Sequence, residues 1–318
     1  MAIKKVGFFQ NLISNLAFLF SVNDIDEHYV IKIFGVKICK KHKVNIDFKE
    51  VTEIGVTTEK RTPQVIVSLT TYPARINIVY KTISTLLTQT IKPDRVILWL
   101  EAPLFSDKNL PENLTRLQQF GLEIKWIDRK LRSFTKLIPS LKKFPEDIII
   151  TVDDDNFYDR RLVEFLYNSY LEAPEYIHAR QAFVVREDRK GDLVMKSRNY
   201  VYNSTYLPSF LNEHMGNGGV LYPPHVLDEN VMNEEQFLKE FPTHDDLWFW
   251  AHALIKGTKI NVIKNNYKLK NIEIAGSQAD SLWQKNMINS TSTVGMTGKQ
   301  SINKLKNMFP EIKERIKE

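Results

Sequence analysis

Four short apolar runs alternate with helical patterns between residues 61 and 152, and this alternation constrains the fold more than any other feature. The predicted strands cover residues 65–69, 96–100, 122–127 and 148–152. The predicted helices cover residues 73–87, 110–120 and 135–142. Because a continuous apolar run is typical of a parallel strand that is buried on both faces, the sequence predicts an α/β fold with an open, mostly parallel sheet and flanking helices.

Composition excludes several other classes of protein. With 318 residues, 43% hydrophobic and 26% charged, the chain has room for a real core and is not a disordered or low-complexity protein. Its single cysteine, Cys39, excludes an internal disulfide and a thiolate zinc site, so we expect a cytoplasmic protein. The net charge of +6 fits an anionic ligand or an anionic membrane surface, and we expect no nucleic-acid partner.

The segments before and after the alternating region predict extensions. Residues 8–20 form an apolar helix that is too short and too polar to span a bilayer; it either lies in a membrane interface or packs on the protein's own core. A hairpin with a basic end is expected around Gly35. The predicted organisation is an N-terminal helix, hairpin and connector (1–60), a main α/β domain (61–270) and a C-terminal helical extension (271–318). The N-terminal features predict a peripheral position on the cytoplasmic face of the inner membrane.

An acidic triplet follows the predicted strand 148–152 directly. In an extended chain Asp153 and Asp155 face one way and Asp154 the other. Two carboxylates at the end of a strand suit Mn²⁺ or Mg²⁺, which usually takes one or two carboxylates together with substrate phosphates. The sequence therefore predicts a site for a metal-bound diphosphate. The alternative is a solvated acidic turn that caps the next helix, at residues 160–171.

Several segments in this order resemble a known family. The segments SLTTYPARI, PDRVILWL, KLIPSLKKFPEDIIITVDDDNFY, MGNGGVLYPP and THDDLWFW are similar to those of bacterial glycosyltransferases of the GT-A fold, over residues 61–264. The upstream IKIFGVKICKK is similar to a leader of lipopolysaccharide and capsule glycosyltransferases. The resemblance implies a Rossmann-like GT-A sheet, a nucleotide-sugar donor such as a UDP-sugar, Mn²⁺ or Mg²⁺ at the DxD motif, and a glycan or lipid-linked glycan acceptor.

The resemblance also implies residues for the donor site. The similar enzymes bind the nucleotide where Thr70, Thr71 and Arg75 follow the first predicted strand. Hydroxyls can hold a ribose or base, and an arginine can meet a phosphate with a planar set of donors. Asp154 belongs to the same set, and Lys136 is expected to neutralise the diphosphate leaving group. The alternative for Thr71 is that it caps the helix that begins at Pro73.

A glycine-rich loop provides the next candidates. Asn217, Gly218 and Gly219 precede an apolar segment, and glycine permits close approach of the backbone to a ligand. We therefore expect these residues to lie against the donor sugar or the acceptor. A tight turn before a strand would give the same pattern.

The last candidates begin the helix after Pro242. The similar inverting enzymes carry an acidic pair here, so Asp245 and Asp246 are candidates for the general base, and the sequence does not separate them. A shifted register would place His244 there instead. The alternative is a capping box in which Thr243 is the N-cap and Asp246 its partner. Trp248 is expected either to stack on a sugar or to pack in the core.

These observations predict a metal-dependent glycosyltransferase that inverts configuration. The alternatives are a retaining glycosyltransferase, a metal-dependent phosphohydrolase that acts on phosphosugars, and a non-catalytic, membrane-associated glycan-binding protein. The phosphohydrolase is disfavoured because VDDDNFY lacks a hydroxyl residue two places after a nucleophilic DxD.

Overall fold

A computed structural model describes residues 50–105, 109–196, 207–277 and 298–318, together with the backbone of three strands before residue 42. The chain divides into two compact units, Met1–Phe48 and Lys49–Glu318. The first unit contains an antiparallel sheet of β1 (Phe20–Ile25), β2 (His28–Ile33) and β3 (Val36–Lys41). Strands β2 and β3 confirm the hairpin that was predicted around Gly35. The helix predicted for residues 8–20 lies outside the described residues, apart from Phe20, which begins β1.

The second unit contains the remaining strands. These are β4 (Val65–Thr70), β5 (Arg95–Glu101), β6 (Leu122–Ile127), β7 (Ile148–Thr151), β8 (Asn156–Tyr158), β9 (Ile177–Ala179), β10 (Ala182–Glu187), β11 (Leu193–Lys196), β12 (Asn212–His214), β13 (Val220–Tyr222), β14 (Ile260–Val262) and β15 (Asn271–Glu273). Seven of them form the central sheet in the order β14-β9-β13-β7-β4-β5-β6. Only β13 runs antiparallel to its neighbours, which confirms the predicted α/β fold with a mostly parallel sheet.

Helices of the second unit flank this sheet. They are α1 (Val79–Leu86), α2 (Glu112–Thr115), α3 (Ile138–Lys143), α4 (Leu162–Glu172), α5 (Glu234–Glu240), α6 (Asp245–Lys256), α7 (Gly298–Met308) and α8 (Glu311–Arg315). None of the helices within the described residues is long and apolar enough to cross a membrane.

Three predicted helices are divided in the structure, and one of them, predicted for residues 135–142, consists of the end of a 3₁₀ segment, Arg132–Lys136, followed by α3. The segment predicted as one helix over residues 73–87 begins as a 3₁₀ turn, Pro73–Arg75, and becomes α-helical only at Val79. Likewise α2 continues as a 3₁₀ segment, Arg116–Phe120, which ends at Gly121 with φ 109°. Such turns are the usual form of short helical connections, and the first of them places Arg75 near the end of β4.

The core has two halves, one on each face of the central sheet. Alternate residues of a strand enter different halves, so Ile66 and Ile149 pack with the residues of α6, whereas Val67 and Ile150 pack with those of α1 and α4. The strands are apolar throughout because both faces are covered, as the sequence predicted.

Segments beyond both predicted ends of the main α/β domain pack on it. Val51 is buried, and the N–H of Gly55 donates to Phe120 O at 2.8 Å, so the second unit begins before residue 61. At the other end Ile302, Leu305 and Ile312 of α7 and α8 lie in the core. The helix predicted for the C-terminal residues is interrupted at Pro310, which cannot donate a helical hydrogen bond.

Candidate functional site

One edge of the central sheet brings the predicted residues together. The carboxyl ends of β4, β5, β7 and β9 meet at this edge because these strands are parallel. Strand β13 runs the other way, so its first residue, Val220, pairs with Thr151, the last residue of β7. The glycine-rich loop before Val220 and the acidic triplet after Thr151 are therefore neighbours. Ligands of open α/β sheets bind at this kind of edge.

The acidic triplet lies in a turn. Strand β7 ends at Thr151, and the alternation expected for an extended chain does not apply beyond it. Asp154 Oδ1 and Asp155 Oδ2 lie 2.6 and 2.9 Å from the same nitrogen of Arg75. Asp153 Oδ1 instead lies 3.0 Å from Lys136 Nζ. This corrects the prediction that Asp154 alone would face away from the other two, because the turn directs the neighbouring pair to one guanidinium.

The residues after β4 support this turn. The hydroxyl of Thr71 donates to Asp154 Oδ2 rather than to the backbone of the next helix, so the capping alternative is wrong. Arg75 also donates to the carbonyl oxygen of Ser277 at 2.9 Å. The hydroxyl of Thr70 donates to Trp99 O at 3.0 Å, within the sheet. Thr71 and Arg75 therefore hold the triplet, whereas Thr70 joins two strands.

The carboxylates of the triplet suit a divalent cation. Burial raises the pKa of Asp155 to about 7, and repulsion by Asp153 adds to it. The side chain of Asp153 is 33% exposed and can reach a ligand. Among the described residues no group of three or more histidine, cysteine, aspartate or glutamate side chains is placed to hold a metal. Asp153 and Asp155 offer carboxylate oxygens, the kind of ligand that Mn²⁺ or Mg²⁺ takes one or two of when phosphates supply the others.

Lys136 links the triplet to the acidic pair of α6. Its Nζ lies 2.8 Å from Asp245 Oδ2, 3.0 Å from Asp153 Oδ1 and 3.3 Å from Asp246 Oδ1. Burial would lower the pKa of Lys136, but the three aspartates together raise it well above its ordinary value. The sequence predicted that Lys136 faces a diphosphate; the structure surrounds it with three carboxylates, so it is a permanent cation within the site.

The two aspartates of the pair have different surroundings. Helix α6 begins at Asp245 with His244 as the N-cap, and no side chain caps it, so the predicted capping box is wrong. Asp246 Oδ2 instead accepts the N–H of Gly216 at 2.8 Å. The Asp246 side chain is 32% exposed, whereas that of Asp245 is 11% exposed. Only Asp246 is therefore open enough to meet a substrate.

The pKa values of the pair differ in the same way. Burial raises the pKa of Asp246 to about 7, and the repulsion of Asp245 and Asp153 adds to it against the attraction of Lys136. Burial also raises the pKa of Asp245, but there the attraction of Lys136 is stronger and the net pKa is lower than usual. A carboxylate with a pKa near neutrality is suited to accept a proton, whereas one with a lowered pKa stays ionised.

The glycine-rich loop contacts both groups of carboxylates. A Cβ at Gly216 would lie 2.5 Å from Lys136 Nζ and 2.6 Å from Asp246 Oδ1, so any other residue there would displace these two groups. Asn217 O accepts hydrogen bonds from Tyr158 and Asn271.

The rest of the loop is fixed just as closely. Asn217 Oδ1 accepts a hydrogen bond from Gln181. Gly218 is buried against Gln181, and Gly219 has φ 92°. These contacts make the loop a rigid wall of the site.

The tryptophans do not belong to the site. Trp248 is fully buried, and its Nε1 donates to Val231 O at 3.0 Å. Trp250 is also fully buried and donates to Phe210 O. Of the two alternatives predicted for Trp248, the structure confirms packing in the core and excludes stacking on a sugar, because the apolar face of α6 places both rings in the core.

Two residues of the site carried no signal in the sequence analysis. The hydroxyl of Tyr158 lies 2.9 Å from the N–H of Asp153, which donates to it, and 3.1 Å from Asn217 O. Tyr158 thus joins the triplet to the glycine-rich loop. Gly216 lies within the glycine-rich segment MGNGGVLYPP but was not named as a site residue, and its close approach to Lys136 depends on tertiary packing.

Comparisons with known proteins complete the description. No model of a known protein family and no curated protein matches the sequence. The fold is similar to the crystal structure of S. aureus TarS 1-349, with 13% identity, a TM-score of 0.40 and 63% of this chain covered. It is also similar to the mannosyltransferase PcManGT from Pyrobaculum calidifontis in complex with GDP-Man and Mn²⁺, with 14% identity, a TM-score of 0.43 and 66% of this chain covered. The chain spans 58% of the length of each of these structures.

Proposed function

We propose that this protein is a metal-dependent glycosyltransferase that transfers a sugar from a nucleotide-sugar donor to a glycan acceptor. One observation carries the proposal: a single buried ammonium group, that of Lys136, contacts Asp153 on one side and the pair Asp245 and Asp246 on the other. A site for a metal-bound diphosphate and a site for a general base are thereby adjacent. Metal-dependent glycosyl transfer with inversion needs both, on opposite sides of the reacting sugar carbon.

The donor side of the site consists of the triplet and its supports. Asp153 and Asp155 would hold Mn²⁺ or Mg²⁺, and a bound divalent ion neutralises charge on a departing diphosphate. Arg75 and Thr71 fix the Asp154 carboxylate, which keeps the turn in place. The donor that we propose is a UDP-sugar, as the resemblance of the sequence to GT-A glycosyltransferases implies.

Asp246 is the proposed general base. In inverting transfer the acceptor hydroxyl attacks the sugar carbon and loses its proton while the diphosphate departs. The raised pKa of Asp246, about 7, and its 32% exposed side chain suit the acceptance of this proton. Asp245 remains ionised beside Lys136 and balances its charge. The N–H of Gly216 orients the Asp246 carboxylate by its bond to Oδ2.

The acceptor and the location belong to the proposal as well. We propose a surface glycan or lipid-linked glycan of the lipopolysaccharide or capsule type as the acceptor. Such an acceptor would be reached from the cytoplasmic face of the inner membrane, where basic residues from Lys37 to Lys43 would meet anionic lipid. The support for this is the sequence of the N-terminal unit.

A thermal-shift panel of nucleotide sugars, each with and without Mn²⁺, tests the proposal. We expect one donor to raise the melting temperature only when Mn²⁺ is present, because a ligand that binds the native state stabilises it. Transfer then follows as release of the nucleoside diphosphate in the presence of acceptor glycans. If instead a phosphosugar without any acceptor releases phosphate, the protein is a phosphohydrolase. If no donor shifts the melting temperature, the proposal is wrong.

A further inference from the structure

A buried carboxylate behind the site anchors the loop that carries Lys136. Glu101 is the last residue of β5 and is 2% exposed. Its Oε1 accepts three hydrogen bonds: from the N–H of Leu131 at 2.7 Å, from the N–H of Arg132 at 2.5 Å and from the hydroxyl of Thr135 at 2.6 Å. Hydrogen bonds to an ionised carboxylate are stronger than neutral ones. The loop from 131 to 135 is therefore tied to the end of β5.

The backbone of this loop requires such an anchor. Arg132 has φ 59°, in the left-handed region that residues other than glycine rarely adopt. A strained residue keeps its conformation only where surrounding contacts fix it. The Arg132 N–H that points to Glu101 is one of those contacts. The side chain of Arg132 is exposed, so the conformation is held by the backbone and by Glu101.

A second anchor fixes the other side of Lys136. The Ser68 hydroxyl donates to the carbonyl oxygen of Lys136 at 2.6 Å. Ser68 in turn lies 2.8 Å from the Ser140 hydroxyl, which accepts the Trp99 indole N–H at 2.8 Å. This series of buried hydrogen bonds connects Trp99 of β5, through Ser140 and then Ser68 of β4, to the backbone of Lys136. With Glu101 on one side and Ser68 on the other, the Cα of Lys136 has little freedom.

We propose that Glu101 is a positioning residue, which holds the 131–135 loop so that the ammonium group of Lys136 lies among Asp153, Asp245 and Asp246. Glu101 acts through Lys136. Its contribution to turnover therefore rests on the proposed function, whereas its effect on the position of the Lys136 ammonium group does not. The position of the Lys136 ammonium group matters because a small displacement would leave the buried carboxylate of Asp245 without its cation, at a high desolvation cost. A displacement of about 1 Å in a catalytic group can lower a rate about a hundredfold.

Kinetics of paired variants test the role in turnover. Glu101→Ala should lower kcat at least about tenfold through displacement of Lys136, and the donor KM should rise by a smaller factor, because Asp153 loses its contact with Lys136. In a Lys136→Met background the same change should lower kcat less than about twofold, since residues that act through one group are not additive. Glu101→Gln should restore most of the activity because its amide oxygen can accept the same bonds. Glu123→Gln, which alters the half-exposed ion pair with Arg95 at the opposite edge of the sheet, is the matched control.

A spectroscopic readout decides the positioning itself, without reference to activity. In protein whose lysine side chains carry a nitrogen isotope label, the NMR resonance of Lys136 Nζ is identified because it disappears in Lys136→Arg. A buried, ion-paired ammonium group exchanges its protons with water slowly enough for this resonance to be observed. We expect Glu101→Ala to shift or abolish this resonance, and Glu101→Gln and Glu123→Gln to preserve it. If Glu101→Ala does not fold, Thr135→Val removes one of the three donors and should shift the resonance by a smaller amount.

The outcomes are distinct. An unchanged Lys136 resonance in Glu101→Ala, or in Thr135→Val where that variant has to replace it, overturns the proposal. An equal loss of kcat with and without Lys136 overturns it too. If the wild-type protein transfers no sugar to any acceptor, the proposed function fails, and the resonance still decides whether Glu101 positions Lys136.

Discussion

Replacing Gly216 by alanine should disturb the site through two short contacts of the added Cβ, without further strain on the backbone. The added Cβ would lie 2.5 Å from Lys136 Nζ and 2.6 Å from Asp246 Oδ1, and contacts shorter than 3.0 Å essentially never occur. Both groups must therefore move, each by about 0.5 Å. Gly216 has no positive φ, so alanine adds no backbone strain.

The expected magnitudes follow from this displacement. Overpacking of a filled site costs about 1–3 kcal/mol of unfolding free energy. Misplacement of a catalytic group by about 1 Å costs about a hundredfold in rate. We therefore expect Gly216→Ala to stay folded, with a modestly lower melting temperature, and to lose one to two orders of magnitude, roughly, in nucleoside-diphosphate release.

A matched control separates a local effect from general overpacking. A Cβ at Gly298 would lie 2.7 Å from the terminal methyl of Met195, a flexible group on β11, which lies outside the central sheet. Gly298→Ala should thus cost little stability and leave turnover unchanged. If Gly216→Ala turns over at the wild-type rate, or if Gly298→Ala loses as much activity, the contact of Gly216 with the site has no functional meaning.

Three further predictions concern the base, the stability and the membrane. Asp246→Asn should lower turnover about a hundredfold or more with donor affinity preserved, and more than Asp245→Asn does; full activity in both variants would place the base elsewhere. Burial lowers the pKa of His178 to about 4, so at this residue the unfolded state binds more protons between about pH 6.5 and 4, and the contribution of His178 to the unfolding free energy should fall by up to about 3 kcal/mol as the pH drops through that range. Urea unfolding of the wild type and of His178→Gln at several pH values measures this as a change in the difference between their unfolding free energies; a difference that does not change with pH would contradict the assignment. The wild-type protein should float with anionic vesicles at low salt and dissociate from them at high salt. Substitution of the lysines from Lys37 to Lys43 by glutamine should abolish flotation at low salt. Equal flotation of the wild type and this variant would refute the electrostatic attachment.

The strands and their carboxyl edge were predictable from the sequence because a buried parallel strand has an unbroken apolar run. Strands β4 to β7 differ from their predicted bounds by one residue at most at each end. The acidic triplet was placed at that edge by the same pattern. These features depend on local periodicity, which a single sequence displays.

Contacts between distant segments were not predictable. The turn after Thr151 redirects the triplet, and no local pattern shows that Asp154 and Asp155 share Arg75. Lys136 was assigned to a diphosphate because its loop opens at the right edge, but only packing shows the carboxylates around it. Trp248 was ambiguous because helical spacing fits both a sugar platform and a core.

Calorimetric titration of a UDP-sugar into the protein, with and without Mn²⁺, tests the proposed metal site. We expect tight donor binding only when Mn²⁺ is present. Asp155→Ala should bind the donor weakly with or without Mn²⁺, while its circular dichroism spectrum remains that of the wild type. Equal donor affinity with and without Mn²⁺, or an unchanged affinity in a folded Asp155→Ala variant, would contradict the metal site and with it the proposed transfer.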